Sequence, residues 1–472
     1  MCIRDSPTSY ETLHSYHTVL CQEQAAIQGW GDCAPWKKAT FGTDPAEINN
    51  VSEKTRAFYT QLRFGFDDLK YPVDGNIGVR YVKTDMKAAG YTVLAPNTTV
   101  IPPGAAVVGV PIPDIRAFSS PGDFQSTYNN VLPSLNLRLK GNDGWQFRLA
   151  LAKAISRPDF NKLQAYNSLS QVVNSSVDPV TGAVNVSNVS LTGEAAGNPM
   201  LRPTTSTQLD LTAEWYFKPG GSLTLALFNK RLKDIVVDQL VNVQLPDTAG
   251  TMHNFAVTSP VNGAKGRARG FELAYQQYYD SVPDWLKGIG VQASFTFVDS
   301  KRDLYNPVYS AYCSGSADGA VNLNLNINGC DTDGRVFGDL PLQGLSRRSG
   351  NLALMYDRGP VSARVAYNWR SRSLQAVNTY GARGTDGKDT NPASPTYGAE
   401  NLAWGLPLWA EAYGQVDASI FYKITEKLSI GLEAQNLNDV QFRQTMDQHI
   451  GNMNHTWFKT GPRYTAQLHY TF

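Results

Sequence analysis

The sequence predicts an all-β fold, and three observations support it. Aromatic residues make up 11% of the 472 residues and Gly and Pro number 40 and 26, a composition that suits strands and turns. Segments of about ten residues alternate apolar and polar side chains with a period of two. Short and long connections alternate between these segments, so every second strand end lies on the same side. Together the observations predict an antiparallel transmembrane β-barrel with long loops on one side.

Thirteen segments show the alternation. In the first, AFYTQLRFGF, the apolar face carries Phe58, Leu62 and Phe64, and the polar face carries Tyr59 and Arg63. The others follow the same rule and are NIGVRYVKT from Asn76, PSLNLRLK from Pro133, WQFRLALA from Trp145, QLDLTAEWYF from Gln208, SLTLALFNKRLKDIVV from Ser222, GFELAYQQYY from Gly270, IGVQASFTFV from Ile289, RSGNLALMY from Arg348, VSARVAYNW from Val361, QVDASIFYK from Gln415, LSIGLEAQNL from Leu428 and RYTAQLHYTF from Arg463.

Short connections rich in Gly, Pro, Asp and Asn alternate with long ones that are polar and rich in Gly. The short ones are KGND, KPGG, DSVPDWLK, DRG and ITE, and the long ones span 95–126, 157–206, 239–265, 303–345, 374–410 and 441–456. We expect short periplasmic turns, long extracellular loops and little helix. The side chains expected to point outward to lipid are Leu135, Leu137, Leu139, Leu223, Leu225, Leu227, Val291, Phe295, Val365 and Tyr367.

Half-buried strands of a soluble β-sandwich or solenoid also alternate, so this class stays open. Two features argue against it. One face of most segments is almost wholly apolar, as a lipid-facing surface requires. The last segment ends in an aromatic residue and resembles the C-terminal signal read by the barrel assembly machinery, with Tyr464, Leu468, Tyr470 and Phe472 on one face.

Charge and hydropathy exclude two other classes. Lys and Arg total 42 and Asp and Glu 41, so a net charge of +1 offers no basic surface for nucleic acid. No run approaches the roughly 18 apolar residues of a membrane-spanning helix. The start, MCIRDSP, lacks the apolar core of a signal peptide, and we expect residues 1–6 to be a non-native leader.

The five cysteines include two local pairs, Cys21 with Cys33 and Cys313 with Cys330. Each pair could close a short loop as a disulfide in an oxidising compartment, and free thiols are the alternative.

No motif indicates catalysis, a cofactor or a metal. GxSxG, Walker and HExxH strings are absent from the sequence. The string CDTDG places Asp331 and Asp333 beside Gly334 but lacks the further ligands of a calcium loop, so we expect a solvated loop. The chain is therefore predicted not to be an enzyme.

Two groups of side chains are candidates for ligand binding. Loop aromatics could stack on a sugar ring or close a loop core, and they include Tyr305, Tyr380, Trp404 and Trp409. Cations on the polar faces could bind an anionic ligand or fill a barrel lumen, and they include Arg80, Arg148, Arg364 and Arg370.

Seven segments resemble successive barrel segments of TonB-dependent receptors, in family order, over nearly the whole chain from Phe58. They are GNIGVRYVKTD from Gly75, YNNVLPSLNLRLK from Tyr128, LAKAISRPDF from Leu151, GNPMLRPTTSTQLDLTAEWYF from Gly197, GRARGFELAYQQ from Gly266, GLSRRSGNLALMYDRGP from Gly344 and EAQNLNDVQFRQ from Glu433. Thr204 and Thr205 depart from the family, which commonly carries Glu after the Pro.

The resemblance implies an outer-membrane receptor of a Gram-negative bacterium, with the TonB complex, outer-membrane lipid and a small-molecule ligand as partners. The family's N-terminal plug and TonB-binding motif are not found, and thirteen strands is an odd number. We therefore expect a C-terminal portion, about 13 of about 22 strands, with TonB engaged through the missing plug. Residues 1–56 are expected to be a remnant of an extracellular loop and 57–472 the barrel.

The ligand is less determined. The loop aromatics and the resemblance favour an oligosaccharide, while a siderophore or cobalamin remains an alternative. In a different class, a soluble or surface β-rich adhesin or carbohydrate-active protein remains possible.

Overall fold

A computed structural model describes residues 49–95, 101, 104–305, 329–337, 340–377, 383–393, 397–400 and 402–471. The chain divides between Asn49 and Asn50 into two units, and the described residues belong to the second apart from Asn49. The predicted division after residue 56 stays a prediction, although the first strand already begins at Asn50.

The described residues form strands and two short 3₁₀-helices, Phe160–Leu163 and Asp284–Leu286. The strands are β1 (Asn50–Phe66), β2 (Val73–Leu94), β3 (Val107–Gly109), β4 (Phe118–Lys140), β5 (Trp145–Ser156), β6 (Asn167–Val177), β7 (Val184–Ala195), β8 (Thr204–Lys218), β9 (Gly221–Pro246), β10 (Met252–Tyr278), β11 (Ile289–Leu304), β12 (Arg348–Arg358), β13 (Val361–Arg370), β14 (Ser373–Val377), β15 (Arg383–Gly387), β16 (Leu402–Gly405), β17 (Pro407–Ala410), β18 (Tyr413–Lys423), β19 (Leu428–Gln435), β20 (Gln441–Gln448), β21 (Gly451–Lys459) and β22 (Arg463–Tyr470). The all-β prediction is confirmed. Within the described ranges, no helix has the length and apolar character needed to cross a bilayer.

One antiparallel path runs through the main sheet. It connects β1, β2, β4, β5, β8, β9, β10, β11, β12, β13, β18, β19 and β22 in that order. Each segment predicted as a strand coincides with one of these strands, although the segments from Gly270, Leu428 and Arg463 were predicted to end one or two residues later than β10, β19 and β22 do. The number of strands in a whole barrel stays a prediction.

Tight turns join alternate pairs of these strands at what we call the short-turn end of the sheet. Between β4 and β5, Asp143 and Gly144 both have positive φ, 54° and 80°. A Cβ at Gly144 would lie 2.1 Å from the carbonyl oxygen of Tyr216, so only glycine fits this turn. The opposite end of the sheet is the long-loop end.

The register separates the two faces of the sheet as the alternation predicts. In one transverse row, directly opposed residues on six neighbouring strands are all apolar: Leu137, Leu149, Leu211, Leu227, Phe271 and Phe297. All ten side chains predicted to face lipid share this face, which we call the apolar face. Many of them are exposed, Leu227 at 47% and Val365 at 48%, and they have no apolar partner layer among the described residues.

The long connections at the long-loop end contain strands of their own. Strands β9 and β10 continue through 239–265 as one long hairpin. Strands β6 and β7 form a second hairpin, whose β7 pairs in parallel with β10 through Ala256, Val257 and Thr258. Strands β14, β17, β20 and β21 form a separate four-stranded sheet.

Small apolar cores hold these connections together. In one of them Leu169 of β6, Phe255 and Val257 of β10 and Leu94 of β2 are all at most 2% exposed. The clusters of buried apolar residues lie in the connections and in the strand ends that they cover. Therefore the long connections are structured in the described residues.

Candidate functional site

The four arginines predicted on the polar faces do share one face of the main sheet. The register places Arg80, Arg148, Arg364 and Arg370 opposite the apolar face in the strands β2, β5 and β13. Their positions along the strands differ, however. Arg148 and Arg364 lie near the short-turn end, and Arg370 is the last residue of β13, at the long-loop end.

Two of these arginines contact side chains of other strands in the main sheet. Arg148 Nε lies 2.7 Å from Glu214 Oε1 in β8, and the Glu214 side chain is only 11% exposed. Arg364 donates a 3.5 Å hydrogen bond to Gln292 Oε1. The Arg148 contact joins the adjacent strands β5 and β8, and the Arg364 contact reaches from β13 across β12 to β11. Both contacts leave less of the cation for a ligand.

Arg370 belongs to a concave site of about 390 Å³ at the long-loop end. Two transverse rows of side chains line it, and the register places both rows on the polar face. We call it the Arg370 pocket, and its polar side chains are Ser294, Thr296, Ser349, Asn351, Asn368, Arg370, Tyr413 and Gln415.

The Arg370 guanidinium has no carboxylate partner among the described residues. It donates a 3.2 Å hydrogen bond to Ser373 Oγ and lies 5.8 Å from the centre of the Tyr413 ring. Its positive charge is therefore only partly compensated by a hydroxyl and an aromatic face.

The amides of the pocket form a chain that ends on a carboxylate. Tyr413 donates a 2.6 Å hydrogen bond to Gln415 Oε1, and Gln415 donates one of 2.6 Å to Asp417 Oδ1. Asn351 donates to Asn368 Oδ1, and Asn368 Nδ2 lies 3.5 Å from Asp417 Oδ2. This chain orients the amide and phenol groups and leaves Arg370 as the cation of the pocket.

A second cluster lies in the loops and joins distant parts of the sequence. His449 Nδ1 lies 3.0 Å from Asp331 Oδ2 and 3.3 Å from Asp333 Oδ2. The backbone N–H of His449 donates to Asp331 Oδ2 at 2.6 Å, and the His449 ring stacks on Phe337 with centroids 4.7 Å apart. The contacts tie the β20–β21 turn to the loop at 330–337.

The expectation of a solvated loop at CDTDG is wrong for Asp331, which is 2% exposed. Its carboxylate accepts hydrogen bonds from the backbone of Thr332 and His449, and these offset the cost of burial. The sequence could not indicate His449 as a partner, because more than a hundred residues separate it from Asp331.

The side-chain donors of Asp331, Asp333 and His449 lie within 4.8 Å of one another, which is a spacing that a metal ion can bridge. A cation nevertheless occupies part of this cluster, since Arg335 Nε lies 2.7 Å from Asp333 Oδ2. Burial raises the pKa of Asp333, but the hydrogen bonds from Arg335 and the charges of His449 and Arg335 lower it below its ordinary value overall. The cluster is most simply an ionic contact between loops.

Another titratable group lies at the tip of the β9–β10 hairpin. Asp247 Oδ1 accepts the backbone N–H groups of Thr251 at 2.8 Å and Ala249 at 2.9 Å, and Asp247 Oδ2 lies 3.0 Å from His253 Nε2. The contact with His253, followed by the backbone hydrogen bonds, lowers the pKa of Asp247 below its ordinary value.

The loop aromatics mostly close local structure. Trp409 is 8% exposed, and its ring lies under the Arg372 guanidinium at 4.3 Å. Trp404 donates a 2.8 Å hydrogen bond from Nε1 to Asp386 Oδ1, and the Tyr305 hydroxyl accepts the backbone N–H of Asp234 at 2.9 Å. Tyr380 lies outside the described residues.

The remaining predicted positions are a disulfide and a terminal strand. Cys330 is disulfide-bonded, and Cys313, Cys21 and Cys33 lie outside the described residues, so the pairing stays a prediction. In β22, Tyr464, Leu468 and Tyr470 lie on the apolar face and are 72%, 73% and 52% exposed. Phe472 lies outside the described residues.

A family model described as "TonB dependent receptor-like, beta-barrel" matches residues 23–437. The chain belongs to the TonB-dependent receptor family. Members of this family are outer-membrane transport receptors of Gram-negative bacteria, which take up small ligands such as siderophores and interact with TonB. The fold and family predicted from the sequence are thereby confirmed.

Solved structures of receptors are similar to this chain at low identity. The siderophore receptor PirA from Acinetobacter baumannii has 16% identity over 89% of this chain and 55% of its own, with a TM-score of 0.45. The ferric yersiniabactin uptake receptor FyuA from Yersinia pestis has 13% identity over 90% of this chain and 46% of its own, with a TM-score of 0.45. This chain thus spans about half the length of these structures. No curated protein matches it.

Proposed function

We propose that this chain is part of the wall of an outer-membrane receptor that takes up a small anionic ligand by TonB-dependent transport. The apolar face would meet lipid, and the polar face would line the lumen. The ligand class is an anionic metal chelate of the ferric siderophore kind. Plug and TonB contacts would belong to the whole receptor.

The observation that carries the ligand class is the charge of the Arg370 pocket. Arg370 lies at the long-loop end, where a ligand from outside would arrive first, and the described residues give it no carboxylate. Carboxylate, catecholate and hydroxamate oxygens are acceptors that suit a guanidinium and amide donors. A neutral sugar would leave the charge of Arg370 without a partner.

The oligosaccharide expected from the sequence receives less support. It rests on the loop aromatics and on the family resemblance, yet Trp409 is buried and Trp404 is hydrogen-bonded to Asp386. Tyr305 retains 40% exposure but caps the backbone at Asp234. These rings pack against other loop residues, whereas stacking on a sugar would need an exposed ring face.

The test is uptake by Gram-negative cells that express the receptor and lack other siderophore receptors. The cells receive catecholate, hydroxamate and carboxylate siderophores loaded with radiolabelled iron, and in parallel labelled oligosaccharide and cobalamin. We expect saturable uptake of one ferric siderophore, lost in cells without TonB.

Arg370→Gln should weaken ligand binding by about tenfold or more, since a charge-assisted hydrogen bond contributes roughly 1.5–3 kcal/mol. Arg63→Gln is the matched control, because Arg63 lies on the same face near the short-turn end, opposite Asn76. Uptake of oligosaccharide alone, or equal effects of the two substitutions, would contradict the proposal.

A further inference from the structure

The apolar face changes to a cationic one toward the long-loop end. The register aligns Lys153 of β5, Thr207 of β8, Arg231 of β9, Arg267 of β10 and Lys301 of β11 in one transverse row. We call the four cations of this row the outer basic row. All four lie on the same face as the apolar residues of their own strands, since they are separated from them by even numbers of positions.

The change occurs at the same level in neighbouring strands. On β9, Leu227 is followed on the same face by Asn229 and Arg231, and on β10 the directly opposed residues are Phe271, Arg269 and Arg267. Four residues separate Leu227 from Arg231, which corresponds to about 13 Å along the strand. An amphipathic molecule could therefore contact the cations with its polar end and the apolar row with its tail.

The row contains more positive than negative charge. Arg231 and Arg267 are directly opposed, and like charges in this position destabilise a strand pair. Asp299 is shared by Arg267 at 3.5 Å and Arg269 at 3.0 Å, and Lys301 pairs with Asp303 at 2.9 Å.

No carboxylate partner exists for Arg231, Lys153 or Lys233 within the described residues. Lys233 follows Arg231 on the same face of β9. All three side chains are exposed. An anion from outside the chain would relieve the repulsion between them.

A second pair of cations repeats the pattern on other strands. Arg56 of β1 is directly opposed to Lys83 of β2 on the apolar face, past Phe58 and Tyr81. Both lie near Asp85, with nitrogen–oxygen distances of 2.9 Å and 3.8 Å. Cations on the apolar face are thus present on strands at both sides of β4.

We propose that the outer basic row binds the phosphate groups of an anionic lipid in the leaflet that surrounds the long-loop end of the wall. This inference rests on the proposed function, which places the apolar face in the outer membrane. Arg pairs with phosphate through two parallel hydrogen bonds, and Lys adds point charge. A lipid fits the surface better than free phosphate, because the apolar row with Leu227 and Phe271 lies on the same face, about 13 Å along the strands from the cations.

The experiment measures lipid binding to the receptor, purified from outer membranes in a mild uncharged detergent, by native mass spectrometry. The probes are a bis-phosphorylated glucosamine lipid, the same lipid without phosphates, and inorganic phosphate. The variant is Lys153→Gln/Arg231→Gln/Arg267→Gln. The control is Lys230→Gln, one residue from Arg231 and on the polar face, opposite Ala268.

Each cation near an anionic lipid surface contributes about fivefold to binding, so the triple variant should bind the bis-phosphorylated lipid roughly a hundredfold more weakly. The control should bind like the wild type, and the lipid without phosphates should bind weakly to all three proteins. Circular dichroism that is unchanged between variants shows that the sheet is intact.

Three results would overturn the proposal. They are equal binding of the triple variant and the wild type, equal binding of the two lipids, and displacement of the lipid by millimolar inorganic phosphate. Failure here is distinct from failure of the proposed function. If uptake depends on Arg370 and TonB while lipid binding ignores the outer basic row, only the lipid inference is lost.

Discussion

Replacing Leu227 by Arg places a charge at the centre of the apolar face. Leu227 is 47% exposed and lies between Leu211 and Phe271 in a row of apolar residues. If this face meets lipid, the guanidinium has no polar partner there and must reach water along the strand or enter hydrocarbon.

The position of Leu227 sets the expected magnitude. Four residues toward the short-turn end, Leu223 lies in a row with the stacked rings of Trp145 and Trp215, and four residues the other way lies Arg231. The eight residue steps from Leu223 to Arg231 span about 26 Å along the strand, or about 19 Å across the bilayer at a tilt of about 45°. Leu227 is midway, where Arg costs about 2–4 kcal/mol.

Ala226→Arg is the matched control, since it places the same side chain one residue away on the polar face. Ala226 is directly opposed to Thr212 and Glu272, so the cation meets a carboxylate and water. We expect a change below about 1 kcal/mol.

The assay is urea unfolding of the receptor in phosphatidylcholine vesicles, followed by gel mobility. Equal destabilisation by Leu227→Arg and Ala226→Arg, or no destabilisation by either, would refute the assignment of the faces.

Three further predictions concern single contacts. Arg148→Gln should lower the free energy of unfolding by about 1–3 kcal/mol because it leaves the carboxylate of Glu214 without its cation and with only the hydroxyl of Tyr216 as a donor, and a double-mutant cycle with Glu214→Gln should recover part of the loss. The pKa of Asp247 in the folded protein is lowered, so its stabilisation of the hairpin tip is complete above about pH 4 and is lost as the pH falls through the folded pKa. Hydrogen exchange of the N–H groups bound to Asp247 should therefore rise at pH values below the folded pKa, and also in Asp247→Asn at neutral pH. Mass spectrometry of the unreduced protein should find a peptide that links Cys330 to Cys313, and linkage of Cys330 to another cysteine would disprove that pairing.

The main sheet could be predicted because the alternation of apolar and polar side chains is a local property of the sequence. In β9, the alternation of Leu223, Leu225 and Leu227 with Thr224 and Ala226 fixes the faces without any long-range contact. In the proposed orientation lipid takes the place of a second protein layer, so the pattern does not depend on a partner sheet. The strands therefore lie where the alternation indicates, and several of them, such as β2, β4 and β10, extend further than predicted toward the long-loop end.

The structure of the long connections could not be predicted, since it depends on non-local pairing. Strand β7 pairs in parallel with β10 near Val257, and neither segment indicates the other in its own pattern. The same applies to Asp331 and His449, which belong to separate connections. Arg370 was among the predicted residues, but only the register shows that it ends its strand beside Tyr413.

The central claim is that one face of this sheet meets lipid and the other meets water. Spin labels at consecutive positions from 223 to 228, in the receptor reconstituted in bilayers with its free cysteines replaced by serine, test it directly. We predict that collisions with dissolved oxygen peak at 223, 225 and 227, and that collisions with a water-soluble nickel chelate peak at 224, 226 and 228. Accessibility that does not alternate, or that alternates in the opposite phase, would contradict the account.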